Sequence, residues 1–149
     1  MRKKRTKYKE VSHLTTTYEG RVKFNDADPL GIVWHGNYIA YFEEGREAFG
    51  RKHGISYLDI HKNKFTTPIV NSSCDHKLPL KYGDTFTVET KILDTPAAKM
   101  IFHYEIYNQH KELVCSGETT QAFVHVNGDL SLYPPDFYED WKEKVKFNS

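Results

Sequence analysis

The residues of this 149-residue chain best suited to chemistry crowd into one stretch, "FNDADPLGIVWHGNYIAYFEEGREAF", Phe24 to Phe49. Asp26 and Asp28 stand two residues apart, Pro29 follows directly, and His35 comes seven residues after Asp28. A carboxylate before a proline is kept out of the helical region and can serve as general base or nucleophile. From Asn37 the apolar spacing becomes that of a helix. The first N–H groups of a helix are unpaired and lie at the positive end of its dipole, where they can hold developing negative charge. The spacing therefore sets a proton acceptor, an imidazole and an anion cradle side by side.

The elements that must position them can be read from the apolar period. Thr15 to Phe24 ("TTTYEGRVKF") is rich in Thr and aromatics and predicts a first strand. Pro29 and Gly31 break residues 25–36 into a loop. Tyr38, Tyr41, Phe42, Gly45 and Phe49 share one helical stripe and predict a helix from Asn37 to about His53, with Gly54 as its stop. A short helical piece, "SYLDIHKNK", leads to Pro68. Beyond it the period is two, in "TFTVETKIL", in "KMIFHYEIYN" and in a long strand from near Leu113 that "VNGDL" closes. "KYGD" (Lys81 to Asp84), "DTPAAK" (Asp94 to Lys99) and "NQHKE" (Asn108 to Glu112) are expected as the hairpin turns between strands. Pro134 and Pro135 open a terminal helix, "DFYEDWKEKV". Strand, one aromatic-rich helix, then four antiparallel strands is an α+β order. It fits the hot-dog fold, an antiparallel five-stranded sheet wrapped around one central helix, and periodicity alone leaves other α+β folds open.

Bulk properties narrow the class. The length suits a single domain over residues 1–149, and 38% hydrophobic with 28% charged residues is a globular balance. A net charge of +1 gives no general pull toward nucleic acid or an anionic membrane. The basic cluster Arg2, Lys3, Lys4, Arg5, Lys7 and Lys9 reads as a flexible, solvated tail over residues 1–12. No apolar run is long enough to cross a bilayer, and no signal-peptide pattern is present. Cys74 and Cys115 match no ligand spacing, which suits a reduced cytoplasmic protein. His53 with His61, and His103 with His110, also lack metal-ligand spacing, so no metal is expected. There is no G-x-G-x-x-G, P-loop or G-x-S-x-G motif, and no cofactor is expected.

"DADPLGIVWHGNY", Asp26 to Tyr38, resembles the signature of the 4-hydroxybenzoyl-CoA thioesterase-like hot-dog family, approximately D-x-D-x-x-G-x-V-(aromatic)-(H/Y)-x-N-Y. Asp26, Asp28, Gly31, Val33, Trp34, His35, Asn37 and Tyr38 all match. The likeness continues in "FEEGR" with Glu43 and Arg46, in "TPIV" (Thr67 to Val70) and in "YGDTFTVET" (Tyr82 to Thr90), so it spans roughly Tyr18 to Gly128. The resemblance implies an acyl-CoA thioester hydrolase with Asp28 as general base or nucleophile. It implies that backbone N–H groups near His35, Gly36 and Asn37 form the oxyanion hole. It further implies a homodimer or homotetramer, paired through sheet edges, with active sites at the junction. An acyl carrier protein could replace CoA as the carrier. Lys81 and Lys99 are candidates for the phosphates of CoA, and Tyr38, Glu43 and Thr67 for the acyl pocket.

Several residues keep two readings. Asp26 reads as a turn cap rather than a catalyst. His35 is either a packed residue that orients the loop or a direct participant in catalysis. Glu43, on a helix expected to be buried, is either the ion-pair partner of Arg46 or faces the acyl pocket opposite Thr67. Two other functions remain open. One is a hot-dog hydratase or dehydratase, and the other is a non-catalytic acyl-thioester binding protein.

Overall fold

The computed structural model describes residues 9–147, with side chains from Leu14 onward. Eleven segments matter here: β1 (Lys9–Arg21), α1 (Asn37–His53), α2 (Tyr57–Lys62), β2 (Phe65–Thr66), β3 (Ile69–His76), β4 (Thr85–Asp94), β5 (Lys99–Asn108), β6 (Leu113–Ala122), β7 (Val124–His125), α3 (Asp136–Lys144) and a single 3-10 turn, Phe24–Asp26. β1, β4, β5, β6 and β3 form, in that order, one antiparallel five-stranded sheet, and β2 pairs with β7 beside it.

The aromatic stripe of α1 is what fastens it to the sheet. Tyr38, Tyr41, Phe42, Gly45, Phe49 and Gly50 are buried, and the Phe42 ring stacks on Tyr104 of β5 at 4.6 Å between centroids. Gly45 permits the close approach to β4. A Cβ there would lie 2.5 Å from Thr90 Oγ1 and 2.7 Å from a Val88 methyl, so any side chain would push the helix off the sheet. α1 ends at Gly54 as the sequence predicts. The Trp141 indole N–H of α3 donates to the His53 carbonyl at 2.7 Å, so the terminal helix locks onto the end of α1.

Four expectations change. β1 starts at Lys9, six residues before the predicted Thr15, because the chain continues to pair with β4 beyond a bulge between Glu10 and Thr15. Lys9 therefore belongs to the sheet, and the tail reading falls on residues 1–8, outside the described residues. The turn at Lys81–Asp84 does not join paired strands. β3 sits at the sheet edge beside β6 while β4 lies between β1 and β5, so this segment is a crossover. Alternating polarity marks a strand but carries no information about its neighbour, whereas the hairpins at 94–99 and 108–112 are as predicted. Finally, α1 is not enclosed on every side. Ala40, Glu43, Glu44 and Glu47 face outward, and the Glu43 side chain is 57% exposed, so it is not a buried carboxylate.

Candidate active site

The loop between β1 and α1 is built by its own short side chains. Asp28 accepts the Leu30 N–H on Oδ1 at 2.8 Å, and its carbonyl accepts the Gly31 N–H at 2.9 Å. Asp, Pro and Gly at the first, second and fourth positions are the residues such a turn favours. The turn is tied down from outside. Asp28 N–H donates to the Ile32 carbonyl at 2.8 Å, Val33 N–H to the Leu80 carbonyl at 2.8 Å, and Tyr82 N–H to the Gly31 carbonyl at 3.1 Å. Among the described residues nothing hydrogen-bonds Asp28 Oδ2, which leaves one carboxylate oxygen to act on a substrate or a water.

Asp26 ties the loop together through one carboxylate oxygen and its carbonyl, the contacts a turn cap makes. Its Oδ2 accepts the Lys23 N–H and the Tyr41 hydroxyl, both at 2.9 Å. Its carbonyl accepts the Trp34 N–H at 3.0 Å and the Asn37 side-chain amide at 2.8 Å. Asn37, predicted to touch substrate, thus spends its side chain holding the loop, and its own N–H donates to the Trp34 carbonyl at 2.9 Å. Tyr38 is also corrected. It is 3% exposed, and its hydroxyl accepts the Leu80 N–H at 3.1 Å, so in the protomer it packs rather than meeting a ligand.

The mouth of α1 carries unpaired donors. Gly36 caps the helix without a side chain, and the N–H groups of His35 and Gly36 donate to nothing among the described residues. The Trp34 indole lies across Gly36, with ring carbons 2.1–2.7 Å from where a Cβ would stand, so a side chain there would require the indole to move. The His35 ring is exposed, rests on Trp34 at 4.9 Å between centroids, and makes no hydrogen bond to Asp28. Its backbone N–H, in contrast, lies at the helix mouth without an acceptor among the described residues.

A cleft of about 530 Å³ lies farther along α1, lined by Glu43, Arg46, Gly50, Thr67, Phe102 and Gln121 among others. Glu43 and Thr67 do share it, and Glu43 also stands 3.9 Å from Arg46, so the two readings of Glu43 are compatible. Gln121 was not singled out from sequence. It lies on the inward face of β6, where an amide among small and apolar residues is the signal, and its Nε2 donates to the Thr67 carbonyl at 2.7 Å. Lys81 and Lys99 are not brought together. Lys81 precedes β4, and Lys99 opens β5 beyond its far end, so about 30 Å of strand separates them. Among the described residues, no three His, Cys, Asp or Glu side chains converge as a metal site requires. No helix among them is long and apolar enough to cross a membrane.

An antiparallel sheet carrying one long helix, with an acidic turn at that helix's mouth, is the architecture of hot-dog thioesterases. Residues 22–141 match the Thioesterase-like superfamily, and the chain belongs to it. It is 35% identical over 134 residues to a Bacillus subtilis protein named for acyl-CoA thioesterase activity, YneP, spanning 86% of this chain and 95% of that one. It is 27% identical over 136 residues to a 1,4-dihydroxy-2-naphthoyl-CoA hydrolase of Prochlorococcus marinus, spanning 87% of this chain and 89% of the other. Among solved structures, a DHNA-CoA thioesterase from Staphylococcus aureus superposes with a TM-score of 0.79 at 25% identity, covering 89% of this chain and 91% of that one.

Proposed function

We propose that this chain hydrolyses acyl-CoA thioesters, with Asp28 as general base or nucleophile and the N–H groups of His35 and Gly36 as the oxyanion hole. The observation that carries this reading is the pairing of unspent groups. A carboxylate oxygen without a partner and two N–H donors without acceptors occur on one short loop. In the general-base course, Asp28 takes a proton from water as its oxygen attacks the thioester carbonyl. The oxyanion rests on the two N–H groups, the C–S bond breaks, and the sulfur leaves with the proton as free CoA thiol. In the nucleophile course, Asp28 attacks the thioester carbon, the C–S bond breaks and CoA leaves as thiolate, and water then hydrolyses the mixed anhydride, releasing the acid and restoring the Asp28 carboxylate. Neither course calls on a metal or cofactor.

The working unit in this reading is a homodimer or a homotetramer of dimers. The outer edge of β3 is unpaired, and seven of its eight side chains are exposed, Ile69 and Val70 among them. Such an edge invites pairing with a second copy. Geometry supports a shared site. The cleft's lining on α1 begins at Glu43, about 10 Å along the helix from Gly36, and extends away from it to Gly50. The two ends of β3 differ: Ile69 pairs with Gln121 beside Thr67, whereas the His76 ring touches Tyr38 at 5.2 Å, near the mouth of α1. Antiparallel pairing of β3 with its copy about a twofold axis would set the partner's helix mouth near this protomer's Thr67. Light scattering at micromolar concentration is expected to give about two or four times the chain mass of 17.4 kDa, and a monomer mass would refute the assembly.

Both cysteines are free thiols, which supports a reducing cytoplasmic setting. The function is tested by thiol release across short, long and aromatic acyl-CoAs, and from an acylated carrier protein. Turnover of at least one substrate class is expected. Binding of acyl-CoA with no thiol released from any substrate would replace the enzyme with a binding protein.

A further inference from the structure

Tyr41 sits on α1 one turn beyond Asn37, and its ring belongs to the core, 7% exposed and 4.3 Å from Phe86 between centroids. Its hydroxyl does something a core ring does not need. It reaches out of the helix face to donate to Asp26 Oδ2 at 2.9 Å. Asp26 is the one loop residue on which donors from three directions meet: Lys23 before it, Trp34 after it, and Asn37 and Tyr41 from α1. Asp28 follows two residues later, within the turn that starts there. A helix that supplies the oxyanion donors thus also grips the loop that supplies the carboxylate.

We propose that Tyr41 is a positioning residue, whose hydroxyl holds Asp26 and, through it, sets the Asp28 carboxylate against the N-terminal N–H groups of α1. The proposal rests on the thioesterase reading above. Burial, with the Asp26 carboxylate second, raises the Tyr41 pKa well above the ordinary phenol value, so the hydroxyl keeps its proton and remains a donor wherever the enzyme works. Small errors in placing a reacting group are costly in rate, reaching about 10²-fold for a 1 Å displacement. A hydroxyl that only stiffened the fold would change stability without regard to Asp28.

The test is Tyr41→Phe made twice, in the wild-type chain and in Asp28→Asn, read as single-turnover thiol release together with KM. Tyr41→Phe keeps the ring and its packing. In the wild-type background kcat is expected to fall about 10-fold, with KM changed less than about twofold because ground-state binding is untouched. In the Asp28→Asn background the same substitution is expected to change the residual rate by less than about twofold, since its effect passes through Asp28. Asp26→Asn weakens the acceptor from the other side and should repeat both results, which keeps the question open to experiment if Tyr41→Phe folds poorly. An unchanged wild-type rate overturns the role of Tyr41, and so does a 10-fold loss that persists without Asp28. Turnover by the unmodified enzyme in those cases leaves the thioesterase reading standing, whereas its absence removes that reading and this one together.

Discussion

Asp28→Asn is expected to lower kcat for acyl-CoA hydrolysis by about 10²–10⁴-fold, the range a lost general base commands. The substitution keeps an oxygen that can accept the Leu30 N–H, so the turn survives while the charge is removed. Affinity for a non-hydrolysable acyl-CoA analogue should change little, because the lost interaction belongs to the transition state. Asp26→Asn should cost less. Its Oδ2 already accepts two hydrogen bonds that tie the loop to Lys23 and Tyr41, so its effect runs through the loop. Stopped thiol-release assays on both variants decide the matter. If Asp28→Asn keeps near-wild-type turnover while Asp26→Asn abolishes it, the two acids have exchanged roles.

The second large effect concerns stability. Phe42→Ala should cost about 3–5 kcal/mol, the range for removing a fully buried aromatic ring. Phe42 is 0% exposed and stacks on Tyr104 with only 7° between ring planes. Its ring also fills the space over Gly117 of β6, where an added Cβ would come within 2.5 Å of it. The hole left behind is walled by β5, β6 and α1, none of which can collapse without breaking sheet pairing. Against a typical domain stability of about 5–15 kcal/mol, such a loss is a large fraction. Urea unfolding at matched protein concentration measures it, since subunit association would shift the midpoint by mass action. A cost below about 1 kcal/mol would mean that the aromatic stack is not the keystone of the helix–sheet contact.

The sequence by itself determined the local elements and the acidic turn. The helical stripe from Tyr38 to Phe49, the Gly54 stop and the hairpins at 94–99 and 108–112 were legible because each depends on residues close in the chain. The acidic turn was equally legible. Asp28, Pro29 and Gly31 make it with bonds spanning two to four residues, and the surrounding motif singles out Asp28 as the acid to test. What the sequence left open were quantities set by distant contacts. The crossover at Lys81–Asp84 depends on which strands pair, and alternation gives a strand two faces but no neighbours.

Side-chain roles divided in the same way. Asn37 and Tyr38 stand in a motif that points to substrate, yet Asn37 bonds Asp26 eleven residues back and Tyr38 bonds Leu80 forty-two residues on. Glu43 was expected to be buried because the whole helix was, but the 3.6-residue period turns it to the open side of α1. Lys81 and Lys99 looked equivalent as basic residues beside turns, and only the sheet sets them at opposite ends of β4. Tyr41 shows the division within one side chain. Its ring was readable as core from spacing, whereas its hydroxyl found a purpose only when folding carried the Asp26 carboxylate to 2.9 Å from it. Periodicity fixes the face on which a residue lies, and tertiary structure alone decides which polar atom from elsewhere in the chain meets it there.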